Sequence, residues 1–249
     1  MNKENIVNEG KLHIEVQKKI IPYIKKMSDI HGDNLIAVFV YGSAAGENYI
    51  PKVSDINSVF VFKNFEFSIL RSSLSVVSKG IFKKIAAPLF LTKDYINSSL
   101  DVFPIEFLDM KENHILLYGE DIFSGLEIKG EHIRLFCEQQ VKGKLIRIRQ
   151  AYLEVGLKKK GLESLLKESL NSLIPIFRNL IRLKGKQPSV NKAEIIRQLC
   201  QMFELDKNVF LSIYKDSSND EKIANQEVVV FLEKYLSQIE KLADMVDKL

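Results

Sequence analysis

The sequence predicts an α/β (α+β) domain with a small mixed sheet, followed by an α-helical bundle domain. Up to about residue 122, apolar runs of strand length alternate with turns and helix-period segments. Beyond residue 131 the apolar positions recur almost wholly at helical spacing, the pattern of a bundle. Between the two, residues 123–130 (FSGLEIKG) carry two glycines and little periodicity, so the domains are expected at 1–122 and 131–249. A chain of 249 residues is long enough for two such cores.

The first periodic segment, residues 12–30, sets Val16, Ile20, Tyr23, Ile24 and Met27 at helical spacing. The cluster His31-Gly32-Asp33-Asn34 then ends the helix and opens a turn. LIAVFVY (35–41) and INSVFVF (56–62) are continuous apolar runs that fit strands buried on both faces. Residues 65–84 return to helical spacing, with Phe67, Leu70, Leu74, Val77 and Ile81 as the expected apolar stripe. PLFLT (88–92) and FPIEFLDM (103–110) are two further strand candidates, with a short helical piece around 95–100 between them. HILLYG (114–119) closes this half. Five helices are expected after it, at 131–155, 161–183, 191–203, 208–215 and 224–249.

Composition excludes several classes. An apolar content of 46% suffices to bury a core, so disorder is not expected. No apolar run approaches the ~20 residues of a membrane span. The N-terminal MNKENIVNEG lacks the apolar core of a signal peptide, which points to a cytoplasmic protein without a membrane partner. Two cysteines, Cys137 and Cys200, with no CxxC and no Cys/His cluster, read as buried thiols. His13, His31, His114 and His132 are scattered and read as surface or turn residues. A net charge of +4 does not by itself imply nucleic acid. The charge is uneven, however: residues 141–200 hold fourteen Lys/Arg against four acids.

One segment carries chemistry. Gly42-Ser43 follows the first buried strand, and after a connection of eleven residues Asp55-Ile56-Asn57 opens the second. Glycine allows backbone to approach a ligand closely, and serine offers a hydroxyl and an N–H to a phosphate oxygen. Residues i and i+2 of a strand share a face, so Asp55 and Asn57 project together. Paired oxygen donors suit Mg²⁺ bridging to nucleotide phosphates. Glu106 is read as a charge interrupting a buried strand, a costly placement unless it is paired or binds something.

At these residues the chain resembles the nucleotidyltransferase superfamily related to DNA polymerase β. The likeness is to bacterial members with a helical C-terminal domain, such as the aminoglycoside adenylyltransferases. Their signature is Gly-Ser, a spacer of about ten residues, Asp-x-Asp/Glu, and a third acid on a later strand. The resemblance implies that Gly42 and Ser43 contact the phosphates of ATP or another nucleoside triphosphate. Asp55, Asn57 and Glu106 would hold Mg²⁺, and Asp55 and Glu106 would be catalytic, Glu106 as third ligand or base. An NMP group, AMP foremost, would pass to a hydroxyl of a small molecule or a protein. The site is then expected between the two domains, where the basic helices reach a triphosphate. No histidine has an arginine five residues before it, so the Arg-x4-His nuclease bundle that accompanies some small nucleotidyltransferases is not expected.

The pattern is broken at Asn57, where the family has its second acid. An amide brings no charge, and Glu47 on the connecting loop is a candidate replacement carboxylate. Asn57 therefore keeps a second function open: a catalytically inactive relative that binds nucleotide or a partner as a regulatory module.

Overall fold

In the computed structural model, which describes residues 6–46, 49–156, 158–217 and 228–249, the chain forms two compact units, 1–128 and 129–249. Residues 47–48, and with them Glu47, lie outside the described residues.

The first unit is built on a four-stranded sheet of order β3-β2-β1-β4. Its strands are β1 (Leu35–Tyr41), β2 (Asn57–Phe62), β3 (Leu89–Thr92) and β4 (His114–Gly119). β1 pairs antiparallel with β2 and β4, whereas β2 and β3 are parallel, so the sheet is mixed. The helices are α1 (Ile14–His31), α2 (Phe67–Ile81), α3 (Lys93–Ser98) and α4 (Pro104–Glu112).

The two apolar strands read as continuous because both faces are covered. On one face Val38, Val40, Phe60, Phe62, Ile115 and Leu117 join Val16, Ile20, Tyr23, Ile24 and Met27 of α1 in one core. On the other face Ala37, Phe39, Val59 and Val61 meet Ile96 of α3, Phe107 and Met110 of α4, and Phe123 and Leu126. Phe123 and Leu126, read from sequence as part of a glycine-rich boundary, are thus core residues of the first unit. A single Phe or Leu is enough to seat a segment whose flanking residues are polar.

α1 starts where His13 Nδ1 accepts from the N–H of Glu15 (3.2 Å), and it ends at Gly32. α2 departs from the sequence reading. Phe67, Leu70, Leu74 and Ile81 of the expected apolar stripe face solvent, Leu74 at 64% exposure. Ile69, Ser73 and Gly80 are the buried positions. The reason lies in the contacts. Ser73 Oγ bonds His31 Nε2 at 2.8 Å, and the missing side chain of Gly80 admits the Tyr23 ring. A Cβ at residue 80 would stand 2.7 Å from Tyr23 Cε2.

α4 is the second departure: Glu106 lies on a helix, not in a strand. Pro104 occupies the first turn, where its fixed φ and missing N–H cost nothing, and Glu106 follows it in the same turn. Glu106 is exposed, so no burial penalty applies to it. The apolar Ile105, Phe107 and Met110 are buried at helical spacing, which eight residues of sequence did not separate from a strand.

One histidine, His114, differs from its sequence reading as a surface or turn residue, whereas His13 is exposed as expected. The His114 side chain is 8% exposed, with Nδ1 on the Met110 carbonyl (2.7 Å) and Nε2 on Asp121 Oδ1 (3.1 Å). Asp121 is partly buried, which pushes its pKa up, but hydrogen bonds from Ser124 and the nearby His114 leave it below the usual carboxylate value.

The second unit is helical: α5 (Gly130–Val155), α6 (Lys159–Leu183), α7 (Lys192–Met202), α8 (Lys207–Ser217) and α9 (Val228–Asp247). Asn191 caps α7 by accepting from Ala193 and Glu194 N–H groups at 2.9 and 3.3 Å. Fully buried Tyr235 bonds Ser169 Oγ at 2.6 Å, and its ring meets Phe210 edge-on. Cys137 and Cys200 are buried, and burial pushes both thiols up to about 12, so neither is a nucleophile near neutrality.

Part of the basic excess is consumed inside this unit. Lys142 pairs with Glu138 (2.6 Å) and Asp247 (3.5 Å), and Arg149 with Glu240 (2.6 Å). Lys167 pairs with Asp216 at 3.1 Å and Arg197 with Glu194 at 3.0 Å. Among the described residues, no helix is long and apolar enough to cross a membrane.

Two outcomes test the α1–α2 interface. Ile69→Ala should cost about 2 kcal/mol or more in urea unfolding, whereas Leu74→Ala should stay within about 0.5 kcal/mol. Equal costs would mean that the exposed stripe is buried after all. The second concerns pH. Burial holds the His31 imidazole below its ordinary value. As pH falls through about 6.5, the unfolded chain therefore takes up a proton that the folded state resists, and stability drops. Melting curves should show a larger loss between about pH 7.5 and 5.5 in the wild type than in His31→Gln.

Candidate functional site

Four of the sequence-predicted residues, Gly42, Ser43, Asp55 and Asn57, lie at one end of the sheet, where β1 ends and β2 begins. β1 ends at Tyr41, and the chain turns through Gly42 at φ +71°, a left-handed conformation that L side chains rarely adopt. The Gly42 N–H donates to the Asn113 carbonyl at 3.2 Å, tying the turn to the entry of β4. Residues Gly42–Ala45 then form one 3-10 turn, closed by Gly46 N–H on the Ser43 carbonyl (3.2 Å). With the Gly42 N–H taken by Asn113, the Ser43 amide is the one that the start of such a turn leaves without an acceptor inside it.

Asn57 stands directly beside this turn. It is the register partner of Tyr41, and its Nδ2 lies 3.6 Å from where a Cβ of Gly42 would be. Asp55 comes two residues earlier, on the other side of fully buried Ile56. Ile56 is pinned by Ile56 N–H on the Lys84 carbonyl (2.8 Å) and Ala86 N–H on the Ile56 carbonyl (3.0 Å). With Ile56 held inward, Asp55 and Asn57 both project away from it.

The same pinning delivers a residue that sequence reasoning missed. Lys84, itself at φ +65°, brings its ammonium to 3.9 Å from Asp55 Oδ1. Both side chains are more than half exposed, so the pair adds at most about 1 kcal/mol to stability. Its consequence is local: the one carboxylate of the motif faces a cation of the protein. The signal available in the sequence was the Lys83-Lys84 pair before a strand that returns parallel to β2.

Glu106 joins this group only through Tyr41. The two line a pocket of about 410 Å³ with Leu89 and Leu91 of β3, Tyr95, Phe103, Phe107, Asp109 and Met110. Burial raises the Tyr41 hydroxyl above its ordinary pKa, so it stays a donor at neutral pH. β3, the strand beside β2, reads Leu89-Phe90-Leu91-Thr92 and carries no acid. Among the described residues, no three His, Cys, Asp or Glu side chains converge as a metal site.

No family model matches the chain, and no curated protein matches it. Among solved structures it is similar to the spectinomycin adenyltransferase AAD(9) from Enterococcus faecialis, crystallised with ATP and spectinomycin. The TM-score is 0.48 at 14% identity, over 88% of this chain and 98% of that one.

The turn is directly testable. Gly42→Ala should cost about 1–2 kcal/mol in chemical denaturation, the penalty of a left-handed L-residue. A neutral result would show that the chain leaves β1 by another conformation.

Proposed function

We propose that this protein is a Mg²⁺-dependent nucleotidyltransferase, moving an NMP group, AMP foremost, from a nucleoside triphosphate to a hydroxyl of a small molecule or a protein. One observation carries the reading. The left-handed Gly42 turn abuts Asn57, with Asp55 projecting from the same side of the β2 entry. That arrangement sets anion-accepting amides next to a carboxylate and an amide oxygen.

The donor set decides how a metal fits. One carboxylate opposed by an ammonium at 3.9 Å is a poor trap for a free hydrated ion. It is adequate for Mg²⁺ that arrives on a triphosphate, where phosphate oxygens and water supply the other ligands. Asp55 and Asn57 are then the protein ligands, and the ion would neutralise charge developing on the phosphates. The left-handed Gly42, its own N–H held by Asn113, lets the backbone come close to the phosphate chain, the Ser43 amide and hydroxyl orient it, and Lys84 adds positive charge at its edge. Glu106 is assigned the acceptor side. Its carboxylate lines a pocket with aromatic walls at Tyr41, Tyr95 and Phe103, where it takes the proton of the attacking hydroxyl.

A second reading is favoured by specific observations. Asn57 replaces an acid, β3 offers none, and Lys84 faces Asp55. These three suit a catalytically inactive relative that binds nucleotide, or a partner, as a regulatory module.

Thermal shift with each of the four NTPs, in Mg²⁺ and in EDTA, tests the first step. Ligand at ~100 Kd stabilises by about 2.7 kcal/mol, a shift of several degrees. The transferase reading expects a Mg²⁺-dependent shift for one nucleotide, lost in Asp55→Ala, and pyrophosphate release that falls sharply in Glu106→Ala. A shift without pyrophosphate release in the presence of candidate acceptors, or a shift gained only in Asn57→Asp, selects the inactive module. No shift for any nucleotide in either protein defeats nucleotide binding altogether.

A further inference from the structure

A second basic pocket opens where α1 meets α2, sharing no residue with the Gly42 turn. It measures about 40 Å³ and is lined by Lys19 and Lys26 of α1, Lys79 of α2 and Lys83 just beyond it, with Tyr23 and Gly80 among the residues between them. At ~10–15 Å³ per water it holds about three, close to the room taken by the oxygens of a tetrahedral anion.

Four lysines lining one opening bring like charges together, which repel unless something neutralises them. Among the described residues, Lys26, Lys79 and Lys83 form no ion pair with a carboxylate. Lys19 lies in the field of Glu15, but that carboxylate is bound to Lys18 at 3.1 Å. The lysines are therefore not explained as internal salt bridges.

An independent observation comes from Tyr23. The residue is 5% exposed, yet its hydroxyl has no hydrogen-bond partner. The ring is fixed between Phe60, edge-on at 6.0 Å, and the bare backbone of Gly80. Burial pushes the hydroxyl up to about 12, so it remains a protonated donor at any ordinary pH. Buried polar groups normally have partners, and a donor without one beside a basic pocket is waiting for an acceptor.

We propose that this pocket binds a phosphate group, held by Lys19, Lys26, Lys79 and Lys83 and accepting a hydrogen bond from the Tyr23 hydroxyl. Lysines act as point charges that suit a tetrahedral oxyanion, whereas a planar carboxylate is best matched by the arginine fork, and no arginine lines the pocket. A soluble ester and a lipid headgroup present the same phosphate oxygens, so the shared chemistry defines the ligand.

The test is calorimetric titration of the full chain with inorganic pyrophosphate in EDTA, which silences any metal-dependent triphosphate site. Wild type should bind one equivalent, and Lys79→Gln/Lys83→Gln should weaken binding by about tenfold or more. Tyr23→Phe should weaken it by roughly three- to tenfold without lowering the melting temperature of the free protein, because the hydroxyl has nothing to lose. Asp55→Ala should leave pyrophosphate affinity in EDTA unchanged. Flotation with neutral vesicles, with and without a phosphoinositide, separates the sources: capture competed by pyrophosphate assigns the headgroup, no capture assigns a soluble phosphate. The proposal is overturned by absence of pyrophosphate binding, by binding that survives the double lysine substitution, or by a Tyr23→Phe melting point well below wild type.

Discussion

Strand β1 is the constraint on which the first unit depends. From Leu35 to Val40 it has no polar side chain, and its two faces feed two separate cores. Leaving either face wet would forfeit the burial of several large side chains, each worth roughly 1.5–3 kcal/mol. α1 and α2 must therefore cover one side, and α3, α4 and the 123–126 segment the other. Since β1 is central, its end is also fixed on both sides, by Asn57 across β2 and by Asn113 at the entry to β4. The Gly42 turn inherits that rigidity, so a flexible-looking Gly-Ser becomes a fixed set of amides.

Charge balance, not geometry, limits what that turn can do. The sheet brings Asn57 beside the Gly42 turn with Asp55 two residues before it, and under the proposed function only one of these oxygen donors is ionised. The parallel return of the chain into β3 places Lys84 against it. Under the proposed function, a site so composed would favour an anion that brings its own cation over a bare divalent ion. The same surplus of lysine recurs at the α1–α2 pocket. There the proposed counterion is a phosphate group, and the buried Tyr23 hydroxyl is the donor without a partner.

The second unit shows the opposite economy. Its basic excess looks in sequence like a wall for phosphates, but Lys142, Arg149, Lys167 and Arg197 are matched by acids on their own or neighbouring helices. Glu240 and Asp247 on α9 lie some ninety to a hundred residues from the cations that they meet on α5. Charge counted along a window therefore overstates the charge that is left to act.

What the sequence by itself determined was every feature set by local periodicity and backbone demand. These include the two buried strands, the long helices and the Gly-Ser exit from β1, because a period of two or 3.6 is written in consecutive residues. Tertiary structure alone decided which of two amphipathic faces α2 buries, since Ser73 and Gly80 win through His31 and Tyr23, about fifty residues away. It also decided that Glu106 sits on a helix, because a run as short as FPIEFLDM satisfies either period until Phe107 and Met110 find their core. Lys84 entered the candidate site the same way, brought there by the pairing of residues 56 and 85, which joins residues that no local pattern connects.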